Sequence, residues 1–248
     1  MPARFLTALP VYNESKYLDA VLDEVLRYSQ HVLVVDDGST DGTAELLARR
    51  KDVECVTHAK NAGYGAALRS AFEYTLAHDY DVLVTIDCDG QHEPQRIPEF
   101  VAATDDADVV SGSRYLAQFD RQSVPPEARR KINVEITAEI NRRLGLHLTD
   151  GFCGFKSYRR KALAELHITE TGYAMPLEVW VQASRAGLKI VELAVPLIYL
   201  DESRSFGGSL DNSQTRLRYY YEVLDRLAGP ESSTAVARSK SLCRGSAG

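Results

Sequence analysis

The sequence predicts an α/β fold built on a single, mostly parallel sheet flanked by helices. Two observations carry this expectation. Apolar β-type runs at 5–9, 32–35, 53–57 and 82–86, with a shorter one at 109–110, alternate with stretches whose apolar residues recur at helical spacing. Three of these runs also end in polar exits, Asn13-Glu14, Asp36-Asp37-Gly38-Ser39 and Asp87-Cys88-Asp89. In an open parallel sheet, ligands settle beyond the carboxyl ends of the strands, so the three exits are expected to converge on one site.

Each element follows from its pattern. After the first run, Tyr17, Leu18, Val21, Leu22, Val25 and Leu26 mark one helix, with Ser15 placed to cap it. Ala67, Leu68, Ala71, Phe72 and Leu76 mark another, and a further helix starts near Pro94. From 114 to 130 the pattern lapses into a polar stretch containing Pro125 and Pro126, longer than an ordinary connection and hence a candidate mobile lid. Ile132, Ile136, Ile140 and Leu144 then give a helix with one apolar stripe, expected to pack on the core. A helix over 177–186, a strand-like stretch over 190–200 and a helix over 214–227 follow. The segment 229–248, rich in Ser, Ala, Gly and Arg, is expected to be disordered. The expected organisation is one domain over 1–228, in two halves at 1–113 and 114–228. There is no internal repeat.

Composition narrows the classes of function. A chain of 248 residues that is 44% hydrophobic can bury a sizeable core. A net charge of −6 argues against nucleic acid as a partner, whose backbone calls for a basic face. Cys55, Cys88, Cys153 and Cys243 form no Cys-x-x-Cys pair and the start carries no apolar leader, so a reducing cytoplasm is expected. No apolar stretch approaches the roughly 20 residues of a bilayer span, which leaves peripheral membrane contact.

The run Thr85-Ile86-Asp87-Cys88-Asp89-Gly90-Gln91 closes an apolar strand with two carboxylates one residue apart. Such oxygens, with an amide nearby, suit Mg2+ or Mn2+, which typically complete their shell with substrate phosphate. The competing reading is an acidic turn that ends a strand and caps the next helix. Glu14 either bonds a ligand or favours the dipole of its helix; Asp36 and Asp37 either bond a ribose or base edge or shape the turn. Asn61-Ala62-Gly63-Tyr64-Gly65 lacks the spacing of a dinucleotide loop, and neither a P-loop nor a Gly-x-Ser-x-Gly elbow occurs. The six histidines show no metal-ligand spacing, and His92 is assigned a loop or capping role.

Taken in order, Pro10-Val11-Tyr12-Asn13-Glu14, the stretch from Val34 through Asp36-Asp37-Gly38-Ser39 to Thr43, Asn61-Ala62-Gly63-Tyr64-Gly65, Asp87-Cys88-Asp89-Gly90-Gln91 and Gly112-Ser113-Arg114-Tyr115 are similar to the ordered signature of family 2 glycosyltransferases. Within it the chain most resembles the dolichyl-phosphate (polyprenyl-phosphate) mannose synthase branch. Asp150-Gly151-Phe152-Cys153-Gly154-Phe155-Lys156 and the stretch from Gly172-Tyr173 to Glu178 follow at the matching places, and the resemblance covers roughly residues 4 to 210. It implies a GT-A fold, a nucleotide-sugar donor such as GDP-mannose or UDP-glucose, Mg2+ or Mn2+, and inversion at the anomeric carbon. By motif, Pro10, Tyr12, Glu14 and Asp37 would hold the nucleoside and Asp87, Asp89 and Gln91 the metal. Arg114 would face the transferred phosphate, and Arg204 would belong to a late basic loop over the diphosphate. The sequence departs from the branch at Leu210, where a Lys is usual, and at His92-Glu93-Pro94.

A departing nucleoside diphosphate gains negative charge that a metal, Arg114 and Arg204 would stabilise, with Asp89 essential to the arrangement. A polyprenyl phosphate acceptor is already ionised; a hydroxyl acceptor needs a base, for which Asp150 comes first and Glu178 second, each alternatively structural. Arg130, within the cluster Arg129-Arg130-Lys131, is the candidate for an acceptor phosphate, with a solvated helix start as the alternative. The expected function is transfer of a mannose or glucose to polyprenyl or dolichyl phosphate at the cytoplasmic membrane face. A saccharide hydroxyl acceptor, a non-catalytic nucleotide-sugar-binding module and a nucleotidyltransferase are the rivals. Leu217, Tyr220, Tyr221, Leu224 and Leu227 could form a homodimer contact, with packing inside the domain the favoured alternative.

Overall fold

The computed structural model describes residues 3–119, 123, 125–198 and 208–229. In the order β1 (Phe5–Val11), α1 (Leu18–Val25), β2 (Val32–Asp36), α2 (Thr43–Leu47), β3 (Glu54–Thr57), α3 (Tyr64–Ala77) and β4 (Val82–Thr85), the first half alternates strand and helix. There follow α4 (Ile97–Ala103), β5 (Val109–Ser113), α5 (Glu127–Leu144), β6 (Lys156–Arg159), α6 (Arg160–Glu165), α7 (Met175–Arg185), β7 (Ile190–Ala194) and α8 (Ser213–Ala228). Among the described residues, seven strands form one sheet in the order β3-β2-β1-β4-β6-β5-β7. Every pairing is parallel except those of β6, which runs antiparallel to both β4 and β5.

Both faces of this sheet are covered, which explains the unbroken apolar runs. Successive side chains of a strand point to opposite faces, and a strand buried on both has no polar side to show. Leu6, Ala8, Leu33, Val35, Leu83 and Val109 enter one core with α3, α5, α7 and α8. Leu9, Val11, Val32, Val34, Val82, Val84 and Val110 enter the other with α1 and α4. There Phe100 of α4 stacks on Phe155 with ring centroids 4.0 Å apart and planes 5° from parallel.

The elements depart from the sequence expectation in identifiable places. β6 was not foreseen, because Lys-Ser-Tyr-Arg has no apolar run; the slot between β4 and β5 makes it a strand. The short helices α2 and α6 were likewise missed. The stretch expected as a strand over 190–200 is extended only through Ala194. Ser15 does not cap α1, whose N-cap is Tyr17 without a side-chain bond. The face of α8 weighed as a dimer contact lies against α5 and α7 of the same chain, with Tyr220 and Leu224 buried in the shared core. The lid expected over 114–130 falls partly outside the described residues, as do the tail over 230–248 and Arg204.

A buried ionic knot ties the end of β5 to α5. Asp150, with no exposed surface, accepts from Arg114 Nε at 2.6 Å and Nη2 at 3.0 Å, from Asn133 Nδ2 at 2.8 Å and from Phe152 N at 3.1 Å. Burial by itself would raise its carboxyl. The charge of Arg114 and these bonds outweigh that and hold it well below the usual carboxylate range. Asp150→Asn should therefore cost about 3–5 kcal/mol near neutrality, the range for breaking one side of a buried pair, as read by urea unfolding. A depressed carboxyl contributes fully above its unfolded value of about 3.9 and loses that contribution as pH falls below it. The stability gap between wild type and Asp150→Asn should accordingly hold above about pH 5 and narrow as pH falls from there towards about 2; a gap constant across that range would contradict the assignment.

Candidate functional site

The carboxyl ends of β1, β2 and β4 open into a cavity of about 650 Å³. Pro10, Tyr12, Glu14, Asp37, Asp87, Asp89, Gln91 and Arg114 all line it, so residues separated by over a hundred positions in the chain meet at the place where the three polar exits converge. Register explains the meeting. Val11 pairs with Asp36 and Ala8 with Thr85, so the chain leaves the sheet on the same edge each time.

At one end the 10–15 turn is stitched to the 36–43 loop. Asn13, in the left-handed region at φ 56°, accepts from Thr40 N at 2.7 Å and donates its own N–H to Ser39 Oγ at 2.9 Å. Glu14 N donates to Thr43 Oγ1 at 3.0 Å. Asp36 is buried and accepts from Ser39 N, a turn role. Asp37 reaches the cavity with both oxygens engaged: Oδ1 accepts from Ala62 N and His58 Nδ1, and Oδ2 from Gly63 N. His58 in turn accepts from Ser70 Oγ at 2.8 Å through Nε2. No sequence pattern singles out His58, which stands one residue past the edge strand β3 and acts only through the folded contact.

At the centre stand Asp87 and Asp89. Asp87 Oδ1 accepts from Tyr64 OH at 3.1 Å, and His92 Nε2 lies 3.4 Å from Oδ2. Burial alone would raise this carboxyl, but His92, Tyr64 and the charge of Lys156 outweigh it and keep it below its ordinary value. Asp89 Oδ1 accepts from Gln91 N at 2.9 Å, closing the turn at Gly90. Gly154 passes beneath Asp87 so closely that a Cβ there would collide with the carboxylate.

The cavity lining is also basic and aromatic, with Arg129, Arg216, Ile132, Phe152, Tyr173 and Tyr220. The structure puts Arg129 in the cavity wall, whereas Arg130 is exposed outside it: one helical step of 100° separates the two, and the Ile132 stripe that faces inward carries Arg129 with it. Glu178 does not line the cavity. It is buried on α7, accepting from Thr169 N, Thr169 Oγ1 and Glu170 N at 2.7–2.8 Å, which makes it an anchor for the 167–173 loop. Asp150, the other candidate base, is committed to Arg114. Arg216 of α8, buried and donating to Leu210 O at 2.6 Å, is not among the residues the sequence reading marks on that helix, which are apolar or aromatic.

The donor set Asp87, Asp89 and Gln91 offers hard oxygens of the kind Mg2+ and Mn2+ take, and such ions need only one or two protein carboxylates when phosphate completes the shell. Among the described residues no group of three or more His, Cys, Asp or Glu is placed to hold a metal ion, so an ion at Asp87, Asp89 and Gln91 would complete its shell with a ligand such as phosphate.

The family model described as Glycosyl transferase family 2 matches residues 7–166. An undecaprenyl-phosphate mannosyltransferase of Micrococcus luteus is 32% identical over 216 residues, covering 83% of this chain and 88% of that one. A polyprenol monophosphomannose synthase of Mycolicibacterium smegmatis is 32% identical over 205 residues, covering 77% and 76%. Glucosyl-3-phosphoglycerate synthase of Mycobacterium tuberculosis, crystallised with Mn2+, UDP and glucosyl-3-phosphoglycerate, superposes with a TM-score of 0.69 at 20% identity, covering 93% of this chain and 82% of that one. Mannosyl-3-phosphoglycerate synthase of Rubrobacter xylanophilus does so with a TM-score of 0.67 at 17% identity, covering 93% and 77%. These two structures establish the shared fold, the GT-A architecture that the motifs implied. The chain belongs to glycosyl transferase family 2 and is a glycosyltransferase.

Proposed function

We propose that this enzyme transfers a hexose, mannose or glucose, from a nucleoside-diphosphate sugar to a polyprenyl phosphate, with inversion and with Mg2+ or Mn2+. The reading rests on one observation: a single cavity is lined by carboxylates, arginines and apolar rings together, with Asp87, Asp89, Arg129, Arg216, Phe152, Tyr173 and Tyr220 all in its surface. A phosphate carried on a hydrocarbon chain needs both a cation and an apolar path, and this lining offers both. A neutral sugar hydroxyl acceptor would not call on the cation.

The state of the two candidate bases supports the same choice. Asp150 is locked to Arg114, and Glu178 is spent on backbone N–H groups. An ionised phosphate oxygen attacks without a base. Pro10, Tyr12, Glu14 and Asp37 would bind the nucleoside at the far end, and Asp87, Asp89 and Gln91 would hold the ion. When bound, that ion supplies positive charge against the charge growing on the departing diphosphate. Arg114 presents a guanidinium to the same region, its charge secured because Asp150 and the bonds between them outweigh the cost of burial. The half from 114 onward thus serves the acceptor and the half before it the donor.

Among the described residues no helix is long and apolar enough to cross a membrane. Beside the cavity, α5 exposes Arg130, Lys131 and Val134, the last 56% exposed, and Leu116 is 47% exposed. With Lys131 paired to Glu127, Arg130, Val134 and Leu116 are the groups offered for peripheral contact with the cytoplasmic leaflet, where a lipid acceptor would present its phosphate.

Two outcomes test the proposal. Incubating the enzyme with membranes and radiolabelled GDP-mannose or UDP-glucose should move label into the organic phase on extraction; label that stays wholly aqueous with both donors would rule out the lipid acceptor. Asp89→Ala and exhaustive EDTA treatment should each lower transfer by about 100-fold or more, as loss of a metal site does, with circular dichroism unchanged. Full activity after EDTA would remove the metal from the mechanism.

A further inference from the structure

Tyr64 opens α3 immediately behind the acidic cluster, and its hydroxyl donates to Asp87 Oδ1. Several contacts fix where that hydroxyl lies. Gly63 and Gly65 on either side have no room for a side chain, since a Cβ on either would collide with the carbonyl oxygen of Thr171 or Glu170. Gly65 N donates to Thr171 O at 2.8 Å, and the Tyr64 ring stacks on Tyr173 at 5.8 Å with planes 17° apart. Glu170 is anchored in its turn, accepting from Tyr219 OH at 2.6 Å and from Arg226 Nη2 at 2.5 Å. The phenol is therefore held from the backbone and from its ring face, with only its hydroxyl turned to the carboxylate.

The carboxylate is gripped from its other side as well. His92 Nε2 approaches Oδ2, while His92 Nδ1 is buried with no hydrogen-bond partner, so the imidazole has this one polar task. Gly154 closes the floor. We propose that Tyr64 is a positioning residue for the metal–diphosphate site: its hydroxyl fixes the Asp87 carboxylate in the orientation that meets the ion. This rests on the assignment of Asp87 and Asp89 to a metal. Partners of this kind orient a ligand and typically change metal affinity by about 10- to 100-fold when removed.

Tyr64→Phe removes the hydroxyl and keeps the stacked ring, so the fold is retained and thermal unfolding reports it. Mn2+ titrations followed by the electron paramagnetic resonance of free ion, with saturating GDP and, in parallel, UDP, should show the Mn2+ dissociation constant rising by about 10- to 100-fold. Metal-free nucleotide binding should be unchanged, and raising Mn2+ in proportion should restore turnover. An unchanged dissociation constant in Tyr64→Phe, with Mn2+ binding lost in Asp89→Ala, would overturn the role of Tyr64 and leave the metal reading standing. Mn2+ binding that survives Asp89→Ala would overturn the metal reading and this inference with it.

Discussion

The site depends on the close threading of one turn, residues 150–156, between β4 and β5. That turn feeds β6 antiparallel into an otherwise parallel sheet, and backbone rather than side chain makes its contacts possible. Gly154 lies under Asp87 with no space for a Cβ, and its carbonyl accepts from Thr85 Oγ1 at 2.9 Å. Gly112 on β5 faces Cys153 Sγ, which a Cβ there would approach to 2.8 Å. Trp180, fully buried, donates to Gly151 O at 2.8 Å. A bulkier residue at any of these places would push the turn off the sheet and take the floor of the cavity with it.

The same turn gathers charge that water cannot reach. Asp150 pairs with Arg114, and Lys156, buried and facing the Trp180 ring at 5.3 Å, donates to Cys153 O. Burial draws the Lys156 ammonium down from its ordinary value, and the Cys153 thiol is pushed up to about 11 by its own burial. Unpaired, such charges would be expensive to bury. Arranged as alternating carboxylate and cation below the cavity, they hold Arg114 and Asp87 at fixed positions without consuming the open faces that meet a substrate. At Leu210, Arg216 donates to the backbone carbonyl and itself lines the cavity.

Much of this was legible in the chain because strands buried on both faces must be apolar and must end in something polar. The runs at 5–9, 32–35 and 82–86 gave β1, β2 and β4, and their exits gave the cavity, since parallel strands all end on one edge. The stripe of Ile132, Ile136 and Ile140 gave α5. Other features were not legible. Lys-Ser-Tyr-Arg carries no period that marks a strand, and Arg129 and Arg130 are indistinguishable until the rotation of α5 is known. Asp150 and Glu178 look like bases in a linear motif, and only burial shows both committed to other partners.

The sequence by itself determined the class of fold, the family and the identity of the acidic cluster, because periodicity and ordered short motifs are local properties of the chain. The tertiary structure decided which of those residues face the cavity and which hold it up. That division turns on contacts between positions far apart, such as Arg114 with Asp150, Tyr64 with Asp87 and Asp37 with His58. A carboxylate is an available ligand or a structural anchor according to what the folded chain brings against it, and no local pattern encodes that.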